Sequence, residues 1–213
     1  MRLARPRWLA TMIVAAIAAV AALTLAPGAQ AAKSAPVDAD VLLYNGATTV
    51  QLDPAAAGAL NSLGVSVAPT GRAYAGKQGV SFPITFGVVD AQTLAGQIRH
   101  AGGLVLSKGA TKVYLTRYFI NTESATLSGL VSTSKTGGTR ADLFNLDLSG
   151  LKVRTSGAHI TLSGVTLTLT EGAAAALNGA FGDGASPFTP GLVIGTATVA
   201  ARTWTIPVVP RLW

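Results

Sequence analysis

Cysteine is absent from the 213-residue chain, and only nine acidic and two histidine residues are present. Each shortage removes a class of chemistry. Without cysteine there is no disulfide framework and no thiolate metal site. His100 and His159 stand far apart in sequence, a poor ligand set for zinc. A glycosidase needs two facing carboxylates, yet Asp53, Asp90 and Asp183 read as helix-cap or turn residues. The nucleophile-elbow pattern G-x-S-x-G does not occur. A triad of His100 or His159 with Asp90, Asp142 or Asp147 has nothing beyond the presence of those residues behind it. The chain therefore reads as a non-enzyme. Charged residues make up 12% of it and form no basic run, so nucleic-acid binding leaves no footprint. The segment GRAYAGKQ (71–78) approaches a phosphate-binding loop. It carries Gln78 where a metal-binding hydroxyl is needed, and it reads as a flexible turn.

What the chain does have begins with a leader. Arg2, Arg5 and Arg7 precede the apolar run LATMIVAAIAAVAALTL (9–25), which Pro27 and Gly28 break before Ala29-Gln30-Ala31. That order is a secretory signal cut after Ala31, in preference to an uncleaved anchor. Loss of those three arginines lowers the formal net charge from +7 to +4. The expected organisation is a signal peptide (1–31), a polar lead-in (32–47) and one β domain (48–213). The expected location is secreted, extracellular or at the cell surface.

Past the lead-in, segments rich in β-branched and aromatic residues recur between Gly, Ser, Asn and Asp. They cover 48–52, 79–85, 103–107, 111–121, 126–132, 141–148, 159–169, 192–200 and 203–209. In TKVYLTRYFIN (111–121), strict alternation puts Val113, Leu115, Arg117 and Phe119 on one face. Lys112, Tyr114, Thr116, Tyr118 and Ile120 take the other. Two Ala-rich helices interrupt the strands. DPAAAGALNSL (53–63) is capped by Asp53, and TEGAAAALNGAF (170–181) by Thr170. VQLDPAAAGALN (50–61) and LTLTEGAAAALN (167–178) align, which suggests two similar halves. The fold class is mainly β: a two-layer antiparallel structure with two short helices.

Few residues remain as candidates for binding. His159 opens a strand after a Ser-Gly turn and reads as exposed or half-buried. His100 ends AGQIRH just before Gly102 and Gly103, where a ligand can approach the backbone closely. An imidazole suits haem iron or a transition metal, and the alternative is a structural or solvated strand-end residue. Tyr114 and Tyr118 share the second face of their strand. A phenolate binds ferric haem, but tyrosines also form ordinary half-buried faces.

The order VSFPITFGVVD, LAGQIRHAGGLVLS, TKVYLTRYFINTESATLSGLV, ADLFNLDLSG, VTLTLTEGAAAALNGAFG resembles the HtaA-type domain of secreted bacterial haem-uptake proteins. Gly96, Ile98, His100, Gly103 and Leu104 fit that family's G-x-V-x-F-x-G-H-x-G-x-L segment. Leu169, Thr170, Gly172, Ala173 and Ala176 fit its late L-T-x-x-G-A-x-A helix. The likeness covers residues 48–200. The family's opening W-x-V-K-x-S-F-x-x-Y segment, whose tyrosine is linked to haem iron, is replaced by TTVQLDPAAAGALNSLGV, with residues 61–63 near the tyrosine's place. Arg99 stands where the family has the glycine before its histidine. The resemblance implies a secreted, non-catalytic binding or relay protein at the envelope, with haem as ligand. His100 would be the iron ligand, and Tyr114 and Tyr118 would lie at the binding site. Two other readings stand beside it: a surface or structural protein that contacts an envelope polymer or another protein, and a carrier of an apolar small molecule.

Overall fold

The computed structural model describes residues 39–133 and 138–207. The leader (1–31) and residues 208–213 lie outside the described residues. Along the chain come β1 (Ala39–Leu52), α1 (Pro54–Ser62), β2 (Ser66–Thr70), β3 (Tyr74–Gly76), β4 (Gly79–Asp90), β5 (Gly96–His100) and β6 (Gly103–Lys108). They are followed by β7 (Thr111–Asn121), β8 (Thr126–Ser132), β9 (Thr139–Asp147), β10 (Lys152–Ser156), β11 (His159–Leu169), α2 (Glu171–Phe181) and β12 (Val193–Pro207). β1 takes in residues 39–47, which the polar composition had placed in a lead-in. Its apolar VLLY stretch pairs with β4 and β12 on either side.

The chain is mainly β, but its pairings close a circle. Strands run in the order β7-β5-β4-β1-β12-β11-β9-β8, and β8 pairs back onto β7. What alternation alone suggested as two layers are opposite walls of an eight-stranded barrel. A barrel of this size holds just enough interior for packed side chains or one small ligand. β5 and β6 lie end to end along β7, β2 extends from β6, and β3 and β10 pair with β4 and β11. The near-P-loop segment 71–78 is a turn and the short β3 arm of a hairpin.

Closure depends on bulges. The register breaks between Tyr44 and Ala47 in β1, Ile84 and Phe86 in β4, Thr116 and Phe119 in β7, and Leu162 and Val165 in β11. Each break adds local bend and twist, which a small barrel needs. Each also switches which residues point inward. In β7 the switch falls at Arg117, whose φ of 51° is left-handed. Val113 and Leu115 face the core before it, and Tyr118 and Ile120 after it. The strict alternation expected for 111–121 is therefore broken: Tyr114 and Tyr118 do not share a face. Arg117 meets no carboxylate among the described residues. Its carbonyl instead accepts from Arg140 Nη2 at 3.2 Å.

Both helices form as their caps dictate. Asp53 Oδ1 accepts from the Ala55 amide at 2.8 Å, and Thr170 Oγ1 from the Ala173 amide at 3.2 Å. β1 and β11 both pair antiparallel with β12, so α1 and α2 leave the same end of the barrel. The internal similarity amounts to this repeated strand–cap–helix unit. The amine of Lys108 ties α2 down through the Phe181 carbonyl and Asp183. No helix of the described residues is long and apolar enough to cross a membrane.

Leu43 is fully buried, whereas Leu52 at the helix end is 39% exposed. Leu43→Ala should therefore cost about 2–5 kcal/mol of unfolding free energy in urea titrations. Leu52→Ala should cost about 1 kcal/mol or less.

Candidate functional site

Ile98 and His100 are two apart in β5 and turn to the same side, so the histidine enters the barrel with the isoleucine. It is 5% exposed, not a solvated strand end. Its Nε2 lies 2.7 Å from Thr48 Oγ1, across the intervening strand β4. Thr48 itself is 3% exposed. It follows the bulge of β1, which sets Thr48, Val50 and Leu52 on the inner face. Tyr118 comes inward just after the Arg117 bulge and meets the Phe82 ring edge-on, with centroids 5.0 Å apart and planes at 89°.

These side chains line one cavity with Val50, Leu52, Val67, Val80, Leu104, Ile120, Leu127, Phe144, Leu167 and Ile194. The cavity measures ≈ 100 Å³, and ≈ 660 Å³ when the space out to open solvent is counted. Leu52 and Val67, both more than a third exposed, mark its mouth at the helix end. The wall is apolar, with no lysine or arginine. Within it, two buried polar atoms have no hydrogen-bond partner in the protein: His100 Nδ1 and the Tyr118 hydroxyl. An unpaired buried group of this kind costs about 1–3 kcal/mol, so the fold carries two penalties in one cavity.

Burial sets the protonation of both. It pushes the His100 imidazole down from 6.5 to about 4, against a smaller opposing effect of the Tyr118 backbone, which does not reach hydrogen-bond geometry. Burial likewise pushes the Tyr118 phenol up. At neutral pH the cavity thus offers an uncharged imidazole with a free ring nitrogen and an uncharged phenol. Such a pair can hydrogen-bond a ligand or ligate a metal centre. Among the described residues no cluster of three or more His, Asp or Glu could hold a metal ion alone.

The sequence candidates divide accordingly. His100 and Tyr118 come together. Tyr114 is buried in β7 but does not line the cavity, because it lies before the bulge, on the face opposite Val113 and Leu115. His159 is exposed and pairs with Arg202 of β12. The two glycines after His100 do not make room for a ligand. A Cβ on Gly102 would lie 2.2 Å from the Ala73 amide nitrogen, and one on Gly103 2.0 Å from the Leu115 carbonyl. They let a loop and β7 pack against the β5–β6 junction. Residues 61–63, expected near the site, belong to the end of α1 and the turn after it, and do not line the cavity. Thr48, which sequence reasoning passed over, is the residue that meets His100. Its signal was a hydroxyl in phase with Val50 and Leu52 on an inward face.

Among solved structures, the C-terminal domain of HtaA from Corynebacterium glutamicum matches with a TM-score of 0.51. It is 19% identical, over 79% of this chain and 98% of that one. The fold is that of an HtaA-type domain. The heme binding protein HtaB from Corynebacterium glutamicum is a more distant structural match at 11% identity and a TM-score of 0.46, over 80% of this chain and 98% of its own. No protein-family model matches the chain, and no curated protein matches it in sequence. The HtaA-type likeness is one of fold, and the cavity described above is read from this chain's own residues.

Because the folded imidazole is harder to protonate than the unfolded one, His100 favours folding fully above pH 6.5. That contribution falls away as the pH drops towards 4. A shift of this size corresponds to about 3 kcal/mol. Unfolding free energies measured from pH 7 to pH 4 should decline in the native protein, and His100→Gln should flatten the decline.

Proposed function

We propose that this chain is an exported, non-catalytic binding protein whose barrel cavity takes haem, for binding or relay at the cell envelope. One observation carries the reading: His100 Nδ1 and the Tyr118 hydroxyl are buried without partners in an otherwise apolar cavity. Haem is the ligand that the HtaA-type sequence resemblance implies. The donor set fits it, since a neutral imidazole ligates haem iron and the Tyr118 hydroxyl would either donate a hydrogen bond beside the group or ligate after losing its proton to become a phenolate, and the walls suit an apolar macrocycle. His100 and Tyr118 would hold the group. Tyr114 drops out of the proposed site because it lies outside the cavity. When bound, haem would supply an iron with coordination positions for these donors. This chain's residues would exclude water around it and keep the imidazole uncharged.

A second reading has its own support. The cavity volume of ≈ 100 Å³ is below the ~300–1,000 Å³ of ordinary ligand pockets. Nε2 is already engaged by Thr48, and no cation lines the wall to meet a carboxylate. These features suit a smaller apolar ligand with one polar group. Export rests on the leader segment of the sequence.

Titration of the purified protein with haemin, followed by absorbance, separates the two. The haem reading expects a saturable Soret shift that weakens about tenfold or more in His100→Ala or Tyr118→Phe. No shift at micromolar haemin, with a lipid or other apolar compound found by mass spectrometry in the purified protein, would establish the carrier instead.

A further inference from the structure

The outer face of β12, β1 and β4 carries an apolar patch with an acidic and a basic end. Register fixes its rows. Asp40 lies opposite Ile206 on one side and Asp90 on the other. Leu42 lies between Trp204 and Val88. Tyr44 lies opposite Arg202, the same register sets it beside Phe86, and Phe86 lies opposite Arg99 of β5. Inward-facing residues alternate with these, so all of them point away from the core. Trp204 is 65% exposed, Phe86 50% and Ile206 42%. Scattered exposed apolar residues need no explanation, but a contiguous set of this kind marks an interaction site.

The charges are arranged with a direction. Asp40 and Asp90 lie side by side next to Ile206 at one end, and Arg202 and Arg99 flank the aromatic pair at the other, about 13 Å along the strands. Among the described residues none of these four makes an ion pair. The Thr93 amide and hydroxyl hold the Asp90 carboxyl below its usual range, so that end stays charged. Such a surface complements itself. A two-fold axis lying between two copies and running across the strands sets the acidic row of each over the basic row of the other. Trp204 and Leu42 then meet at the centre.

We infer that this face is a self-association surface, and that its partner is the same face of a second copy of this chain. A lipid surface fits less well, because an acidic pair at one end would meet anionic headgroups. Central aromatics with arginines at the edge are the usual composition of a protein interface.

Sedimentation of the purified protein over a range of concentrations tests the inference. Dimers are expected in the native protein. Trp204→Ser should raise the dimer dissociation constant at least tenfold, with the far-ultraviolet circular dichroism of the barrel unchanged. Asp40→Arg and Arg202→Asp should each weaken the dimer, and the double variant should recover it, a rescue that mere misfolding would not give. A protein that stays monomeric, or a dimer indifferent to these three changes, would overturn the inference. So would a monomer that binds phosphatidylglycerol vesicles through Trp204. The outcome is independent of haem, because the face lies outside the cavity.

Discussion

A single hydrogen bond, Thr48 Oγ1 to His100 Nε2, joins β1 to β5 across β4 inside the barrel. It is the polar contact on which the interior depends. An imidazole buried to this degree stays uncharged, and one of its nitrogens is satisfied by threonine. The other nitrogen and the neighbouring phenol are left without protein partners. A core designed only for stability would replace all three groups by aliphatic side chains and lose nothing in hydrogen bonding. Polar groups kept at a cost inside an apolar wall are the physical case for a ligand.

The bulges explain why the cavity exists where it does. On one side of the belt they form, Leu43, Val89 and Ile98 fill the interior to exposures of 0–1%. On the other side, Thr48, Val50, Phe82 and Leu167 face a space that side chains do not fill. His100 and Tyr118 stand at the belt. The β5–β6 junction turns there, and the Arg117 amide donates to the Gly102 carbonyl at 3.1 Å. That backbone bond fixes the junction opposite the β7 bulge, so the inward turn of Tyr118 and the position of His100 are set together. Gly102, at φ 81° against the Ala73 backbone, accepts no side chain in this arrangement.

Much of the fold was legible because its signals are local. Alternating β-branched residues placed β4, β6, β7, β8, β9, β11 and β12, and Asp53 and Thr170 announced both helices. Ring closure was not legible, because β7–β8 pairing on one side and β7–β5 on the other is set by tertiary register. The bulges were hidden for a related reason. Arg117 takes a left-handed backbone with no glycine or asparagine to advertise it, and that one residue moves Tyr118 from the face of Tyr114 into the core. His100 could be singled out from scarcity and from the HtaA-type order of segments. Thr48 showed only its phase with Val50 and Leu52, and its pairing with His100 was not legible, since only the fold brings residues 52 positions apart to 2.7 Å.

Inside and outside the barrel thus carry different kinds of chemistry: an uncharged donor pair within, an apolar face with opposed charges without. The inner claim is the central one, and it turns on the state of one side chain. Nitrogen-15 NMR of the His100 imidazole, followed from pH 8 to pH 4, measures that state directly. The account predicts a neutral ring whose resonances hold nearly still until the pH approaches 4. A titration centred near 6.5, the ordinary histidine value, would mean that His100 is solvated and that the buried polar site does not exist.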